Sequence, residues 1–364
     1  MKLLVQPGDG ISALVKGINR AKTSVEIVVF RFDRVEIETA LTEAVHRGVR
    51  VHALIAYTNR GGEKNLRQLE ARLLAAGVTV ARTDDDLTRY HAKYFLIDRR
   101  ELFLLAFNYT YMDIERSRSF AVITTNRRLV QEAARLFESD TKRQPYVAGL
   151  SSFVVSPANA RKQLSAFIKG AKKKLLIYDP KITDPDMIRL LEERAKAGVE
   201  IRIIGRLTKR SPNLEARKLT GMRLHTRTMV RDDRHVFVGS QSLRELELDA
   251  RREVGVIFID KKIAERVIDV FEEDWAKIEE ARKRDAAGEA IKVGKVAKKV
   301  AKVVAKGLPS VAPVVEMTIK EVAGPEHSVE LNSAEVQATV REAVKEAVQQ
   351  VVEEAIDEEA LEPK

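Results

Sequence analysis

The chain has 364 residues, 45% of them apolar and 32% charged, enough to bury two ordinary cores. Its formal net charge is +10 and its pI about 9.5, which favours anionic partners such as phosphates, nucleic acid or an acidic membrane surface. It contains no cysteine, so disulfides and Cys-ligated metals are excluded and any nucleophile is another residue type. The N-terminal apolar run is too short for a signal peptide and no stretch is long and apolar enough to span a bilayer, so the cytoplasm is the expected compartment.

Hydrophobic periodicity predicts strand 2–5, helix 8–22, strand 24–30, helix 36–47, strand 49–56, helix 65–76 and strand 78–81. Residues 90–98 (YHAKYFLID) then read as one uninterrupted strand, followed by strands 101–107 and 119–124 and helix 126–141. The pattern begins again with helix 163–173, strand 174–178, helix 184–196 and strand 199–205. A short helix is expected over 213–219, then strands 222–230, 235–238 and 253–259 and helix 262–280. Strands alternating with amphipathic helices define an α/β chain with mixed sheets flanked by helices.

The two runs are copies. Ala21-Lys22 recurs as Ala171-Lys172, 150 residues on, and His91 and Asp98 recur as His225 and Asp232, 134 residues on. The expected organisation is therefore lobe 1 over 1–145, lobe 2 over 146–280 with a site between the lobes, and a helical or disordered tail over 281–364. The tail is polarised: 281–315 hold nine Lys/Arg against two acids, and 316–364 hold four against thirteen. Residues 292–306 form a basic amphipathic stretch suited to peripheral contact with an anionic membrane surface or with nucleic acid. A capping box at Asn332–Glu335 starts a stripe of Val336, Val340, Ala343, Ala347, Val351 and Ala355, so 333–356 read as a self-association helix.

The chemistry-bearing residues sit at matching places in the copies. Side chains two apart on a strand share a face, so His91 lies beside Lys93 and His225 beside Arg227. Asn108 and, in the second copy, Gly239-Ser240-Gln241-Ser242 follow at equal distance, and Glu253 lies eleven residues beyond Ser242. A phosphate ester needs a nucleophile, an acid on the opposite side and cations on its oxygens. Two imidazoles can supply the first two roles near neutral pH. Lys93 and Arg227 supply charge, the Asn108 amide and the Ser240 hydroxyl can donate to phosphate oxygens, and Glu253 can hold a histidine tautomer. Asp98 and Asp232 fall on the opposite strand face and read as structural supports.

At these residues the chain resembles the phospholipase D superfamily, with its paired HxKxxxxD motifs, GSxN and a following acid. The resemblance spans roughly residues 1–280. It implies two lobes around one phosphate, catalysis by one histidine through a phosphohistidine with the other as acid, and no metal or cofactor. The family's habit of supporting one half's histidine with the other half's acid implies that Glu253 orients His91, making His91 the nucleophile. The implied function is a phosphodiesterase or phosphatidyltransferase cleaving phospholipid head-group phosphodiesters. The alternatives are a metal-independent endonuclease and a non-catalytic phosphate- or lipid-binding protein. Leu105-Ala106 stands where the family has Gly-Ser, Ser119 where it has an acid, Arg227 where it has Lys, and Ser242 where it has Asn.

Overall fold

The computed structural model describes residues 1–57, 63–208, 211 and 213–286, together with helical positions 301, 302, 304, 340, 341, 344, 345, 347 and 348. The chain divides into Met1–Ile278, which holds both lobes, and Glu279–Lys364. Most of the basic stretch 292–306 and of the stripe 333–356 lies outside the described residues. No helix among the described residues is long and apolar enough to cross a membrane.

Lobe 1 runs β1 (Lys2–Gln6), α1 (Ser12–Asn19), β2 (Ser24–Val29), α2 (Val35–His46), β3 (Arg50–Ile55), α3 (Glu63–Ala75) and β4 (Thr79–Arg82). It continues with β5 (Arg89–Tyr90), β6 (Tyr94–Ile97), β7 (Glu101–Leu105), α4 (Tyr111–Glu115), β8 (Ser117–Thr124) and α5 (Arg127–Thr141). Lobe 2 repeats this as β9 (Phe153–Val155), α6 (Ala160–Lys169), β10 (Lys174–Ile182), α7 (Pro185–Lys196), β11 (Glu200–Leu207) and β12 (Glu215–Arg217). Then come β13 (Arg223–Leu224), β14 (Arg227–Arg231), β15 (His235–Gly239), α8 (Glu245–Asp249), β16 (Arg251–Arg252), β17 (Val254–Ile259) and α9 (Lys261–Ala286).

The first sheet has the order β1-β8-β7-β6-β2-β3-β4, and the second, read from its other end, β9-β17-β15-β14-β10-β11-β12. Strand for strand these are the same sheet, so the sequence repeat is a structural duplication. In each, strands joined through a helix pair in parallel (β2 with β3, β10 with β11), while neighbours joined by tight turns pair antiparallel. The outer face of the first sheet packs Ile27, Phe95 and Phe103 against Leu14, Ile37 and Leu69 of α1–α3. The outer face of the second packs Ile177, Met229 and Phe237 against Leu164, Met187 and Leu191 of α6 and α7. The inner faces share one core, in which Tyr94, Leu104 and Phe120 meet Tyr178, Val230 and Val238 with α5 and α9 between them. Because one continuous core joins the lobes, they form a single folded body.

Four expectations need correction. The stretch 90–98 is two strands, not one: β5 ends at Tyr90, and β6 begins at Tyr94. The break arises because β5 leaves its own sheet and pairs in parallel with β16 of lobe 2, as β13 pairs with β8 of lobe 1. The strand expected at 222–230 is broken at His225-Thr226 for the same reason. The helix expected at 213–219 is strand β12, a short edge strand beside β11, whose register overrides a weak local helix pattern. Finally, α1 starts only at Ser12. Gly8 and Gly10 take positive φ in the preceding turn, where the Gln6 amide bonds both the N–H and the carbonyl of Gly10.

The lobes are clasped by two ion pairs related by the duplication. Arg118 on β8 meets Asp274 on α9 in a bidentate pair at 2.7 and 2.9 Å, and Arg252 on β16 meets Asp140 on α5 at 3.0 Å. Both arginines also donate to a backbone carbonyl of their own lobe's first strand or the residue after it, Arg118 to Gln6 and Arg252 to Ser156.

Candidate active site

Each histidine sits in the gap left when its strand crosses to the other lobe. The crossing hangs the His91 backbone N–H on the Arg252 carbonyl at 2.7 Å and the His225 N–H on the Arg118 carbonyl at 3.1 Å. Both imidazoles are thereby brought to the seam between the sheets, buried at 7% exposure each.

His91 is held firmly. Both Glu253 oxygens lie 2.9 Å from its Nδ1, and Glu253 is fully buried on the other lobe. A carboxylate at Nδ1 favours the proton there, with the Nε2 lone pair facing the Lys93 amine. Lys93 Nζ lies 2.9 Å from both ring nitrogens. The edge of the ring packs on Phe30 at a centroid distance of 4.5 Å. Burial, then the nearby Lys93 and Arg227 charges, holds His91 well below the ordinary histidine pKa. Burial pushes the Glu253 carboxyl up, opposed by the same two cations. Burial lowers Lys93 to about 7, so its charge is poised near neutrality.

His225 is held differently. Position 119, the duplicate of Glu253, is a serine whose hydroxyl is buried without a hydrogen-bond partner. The carboxylate nearest His225 is Asp113 on α4, whose Oδ2 lies 3.5 Å from Nδ1, beyond hydrogen-bond range. Asp113 Oδ2 also accepts the Asn108 N–H at 2.9 Å and its Nδ2 at 2.6 Å, while Oδ1 takes Arg223. Burial drives the His225 pKa well down, with Asp113 opposing and Arg227, Arg223 and Lys93 reinforcing the fall.

The duplicate of Asp113 is Glu247 on α8. It accepts the Ser242 N–H at 2.8 Å and lies 3.6 Å from the Arg227 guanidinium and 3.2 Å from Arg251. Arg227 is tethered by its Nε to Ser242 Oγ at 3.0 Å and by Nη1 to the His225 carbonyl at 2.8 Å. The departures from the lobe 1 pattern are therefore matched in size. Lys93, Asn108 and Asp113 become Arg227, Ser242 and Glu247, so a longer cation is accommodated by a shorter polar residue and met by a longer acid.

The structure thus brings His91, Lys93, Glu253, His225, Arg227 and Asn108 together. Ser240 Oγ accepts the Val254 N–H at 3.1 Å, faces the Val254 carbonyl at 3.4 Å and supports Glu253. One Asn108 N–H is committed to Asp113, which leaves the other to donate to a phosphate. Asp98 and Asp232 lie at the far end of their strands, each at positive φ. Asp98 accepts the N–H groups of Lys22, Thr23 and Ser24, and Asp232 those of Lys172, Lys173 and Lys174, so each pins the loop entering the central strand of its sheet. Asp113 and Glu247 escaped the sequence reading. Their signal was present, since they lie five residues beyond Asn108 and Ser242 at the same repeat spacing. In lobe 1 the missing glycine is tolerated because Leu105 packs in the outer core, whereas a Cβ on Gly239 would lie 2.8 Å from Gly255 Cα.

Residues 14–141 and 164–275 match the family model described as "Cardiolipin synthase, PLD-like domain". The chain belongs to this phospholipase D-like family. Among curated proteins it is similar to the polyphosphate kinase of Vibrio vulnificus (strain YJ016), 27% identical over 296 residues that cover 72% of this chain and 41% of that protein. The polyphosphate kinase of Escherichia coli (strain K12) is 22% identical over 278 residues, covering 68% of this chain and 40% of that protein. The chain spans about two-fifths of the length of these curated relatives. Among solved structures, polyphosphate kinase from Porphyromonas gingivalis shares the fold with a TM-score of 0.63 at 21% identity, covering 74% of this chain and 49% of that one. Phosphatidylserine synthase from Haemophilus influenzae Rd KW20 does so with a TM-score of 0.54 at 12% identity, covering 73% and 83%.

Proposed function

We propose that the chain is a phosphoryl- or phosphatidyl-transfer enzyme working in two steps through a phosphohistidine on His91. The observation that carries this reading is the Glu253 carboxylate reaching across the lobes to His91 Nδ1 at 2.9 Å beside Lys93. A neutral imidazole with its Nδ1 proton fixed presents a nucleophilic Nε2, the requirement for attack on phosphorus. The Nε2 lone pair forms the P–N bond while the P–O bond to the leaving group breaks. His225, in its charged form, gives its Nε2 proton to the departing oxygen and becomes neutral. In the second step His225 takes a proton from water or an acceptor hydroxyl, whose oxygen displaces His91. Lys93, Arg227 and the Asn108 amide hold the phosphate oxygens as charge builds.

For the substrate, phospholipid head-group phosphodiesters are the first reading, consistent with the family's description and the fold shared with phosphatidylserine synthase. The curated relatives favour a second, a phosphate chain or nucleotide phosphoanhydride. Trapping tests both readings. The protein is quenched in alkali after exposure to radiolabelled phosphatidylglycerol, polyphosphate, ATP or DNA, alongside His91→Ala. Alkali-stable, acid-labile label on the wild type alone supports the mechanism, and the donor that labels it names the substrate. Turnover without label at His91, or label at His225, overturns the assignment. Binding of every donor without label leaves a phosphate-binding protein.

A further inference from the structure

We propose that Asp113 is the positioning carboxylate of His225, taking over from α4 the task that position 119 of β8 no longer performs. This rests on the two-histidine reading above. The duplication supplies the measuring frame. Each lobe offers two places for an acid, 113 and 119 in the first, 247 and 253 in the second. Glu253 occupies the β17 place and reaches His91 on the opposite lobe at 2.9 Å. The matching β8 place holds Ser119, and both its Oγ and His225 Nδ1 are buried without hydrogen-bond partners. A buried imidazole that must gain and lose a proton needs an anion at its far nitrogen, or the charged form carries its whole desolvation cost.

Asp113 is the one acid of lobe 1 in ion-pair range of that nitrogen among the described residues, at 3.5 Å. It is 2% exposed and fixed on four sides. Thr110 Oγ1 caps its own N–H, its Oδ2 takes the N–H and amide of Asn108, and Oδ1 takes Arg223. Against burial, which raises it, the His225 charge, then Arg223 and the two Asn108 bonds, hold the carboxyl far below the usual range. It therefore ties the amide that would hold phosphate to the histidine that would move the proton. Glu247, its duplicate, serves Arg227 instead, and His91 is served by Glu253. The contact across the lobes is kept while its origin has moved six residues along the chain.

The groups facing His225 are Asp113, Arg223, Arg227 and Lys93, three cations against one anion. Removing the anion lowers the proton affinity of His225. Less of it is charged to protonate the leaving group in the first step, and it is a weaker base in the second, in which it must accept a proton from water.

The test uses the full chain with Asp113→Asn, Ser119→Glu and the double variant. Label trapped at His91 reports the first step, breakdown of the labelled enzyme reports the second, and the His225 C2-proton resonance reports its titration. Asp113→Asn is expected to label at His91, break down about tenfold or more slowly, and shift the His225 titration to lower pH. The double variant is expected to return that titration upward and recover part of the breakdown rate. A folded Asp113→Asn protein with unchanged breakdown and an unmoved titration overturns the proposal while leaving the His91 assignment intact. If instead no variant and no wild type labels at His91, the mechanism itself fails, which is a separate outcome read in the first measurement. Should Asp113→Asn not fold, Asp113→Glu decides: the carboxylate is kept and its reach to Nδ1, now 3.5 Å, is changed. A shifted His225 titration with altered breakdown of the labelled enzyme supports the proposal, and an unmoved resonance with unchanged breakdown overturns it.

Discussion

Arg118 of the first lobe and Asp274 of the second meet in a buried two-point ion pair, at 2.7 and 2.9 Å, with the Tyr178 hydroxyl donating to the same carboxylate at 2.7 Å. Removing one member leaves the other charged and dry, which costs about 3–5 kcal/mol. Asp274→Ala should lower the unfolding free energy by that amount in urea melts monitored at Trp275, whose ring stacks on Phe271 nearby. A loss below about 1 kcal/mol would show that this pair does not clasp the lobes.

Glu253 touches the proposed nucleophile and nothing replaces it. Glu253→Gln keeps the shape but loses the charge that favours Nδ1–H on His91. Turnover should fall by about 10²–10⁴-fold, the range for losing an orienting carboxylate or a general acid–base group. The fall should appear in kcat, with thermal stability changed little by comparison. Stopped-flow labelling of His91 is the direct readout.

Lys93 gives the pH dependence. Its folded pKa of about 7 lies below the ordinary value of 10.5. Above about pH 7 the free enzyme loses that positive charge, so kcat/KM should decline on the alkaline side, and Lys93→Arg should move the limb upward. Stability should run the opposite way. Between about 7 and 10.5 the unfolded chain holds a proton that the native lysine has released, so the unfolding free energy rises with pH in that window. Lys93→Met should flatten the rise. On the acid side, burial lowers the His91 and His225 pKa values below the unfolded 6.5, so the unfolded chain binds more protons as the pH drops below that value and stability falls.

Arg227 and Ser242 should behave as a pair. Arg227→Lys loses the 3.0 Å bond to Ser242 and a fork that reaches toward Glu247. One charge-assisted hydrogen bond contributes about 1.5–3 kcal/mol, or roughly 10–100-fold in kcat/KM. Arg227→Lys with Ser242→Asn recreates the Lys-Asn pair of lobe 1 and should recover part of the loss. Additive effects in a double-mutant cycle would show that the two positions are not coupled.

Much of this site could be read before the fold was known. The repeat alone paired His91 with His225, and the strand period put Lys93 and Arg227 beside them. What the chain pattern could not show is contact between elements far apart in sequence. Asp113 and Glu247 lie on five-residue helices that hydrophobic periodicity is too short to register. The break between Tyr90 and Tyr94 was invisible because the residues that cause it, Arg251 and Arg252, stand in the other lobe. Ser240 reads as a phosphate donor by motif; that its Oγ also accepts the Val254 N–H of the neighbouring strand is a contact no motif could show. The stretch 213–219 carried a local helix pattern that edge pairing with β11 overrode.

The backbone bonds from His91 to Arg252 and from His225 to Arg118 have a consequence for inheritance. Each half hands the other the peptide carbonyl that its histidine N–H bonds, so neither half alone holds its histidine as the whole chain does. Cutting the connection at 142–152 would give fragments that regain function only on finding each other. Within the second copy, Arg227 and Ser242 depart together from Lys93 and Asn108 of the first and bond each other at 3.0 Å.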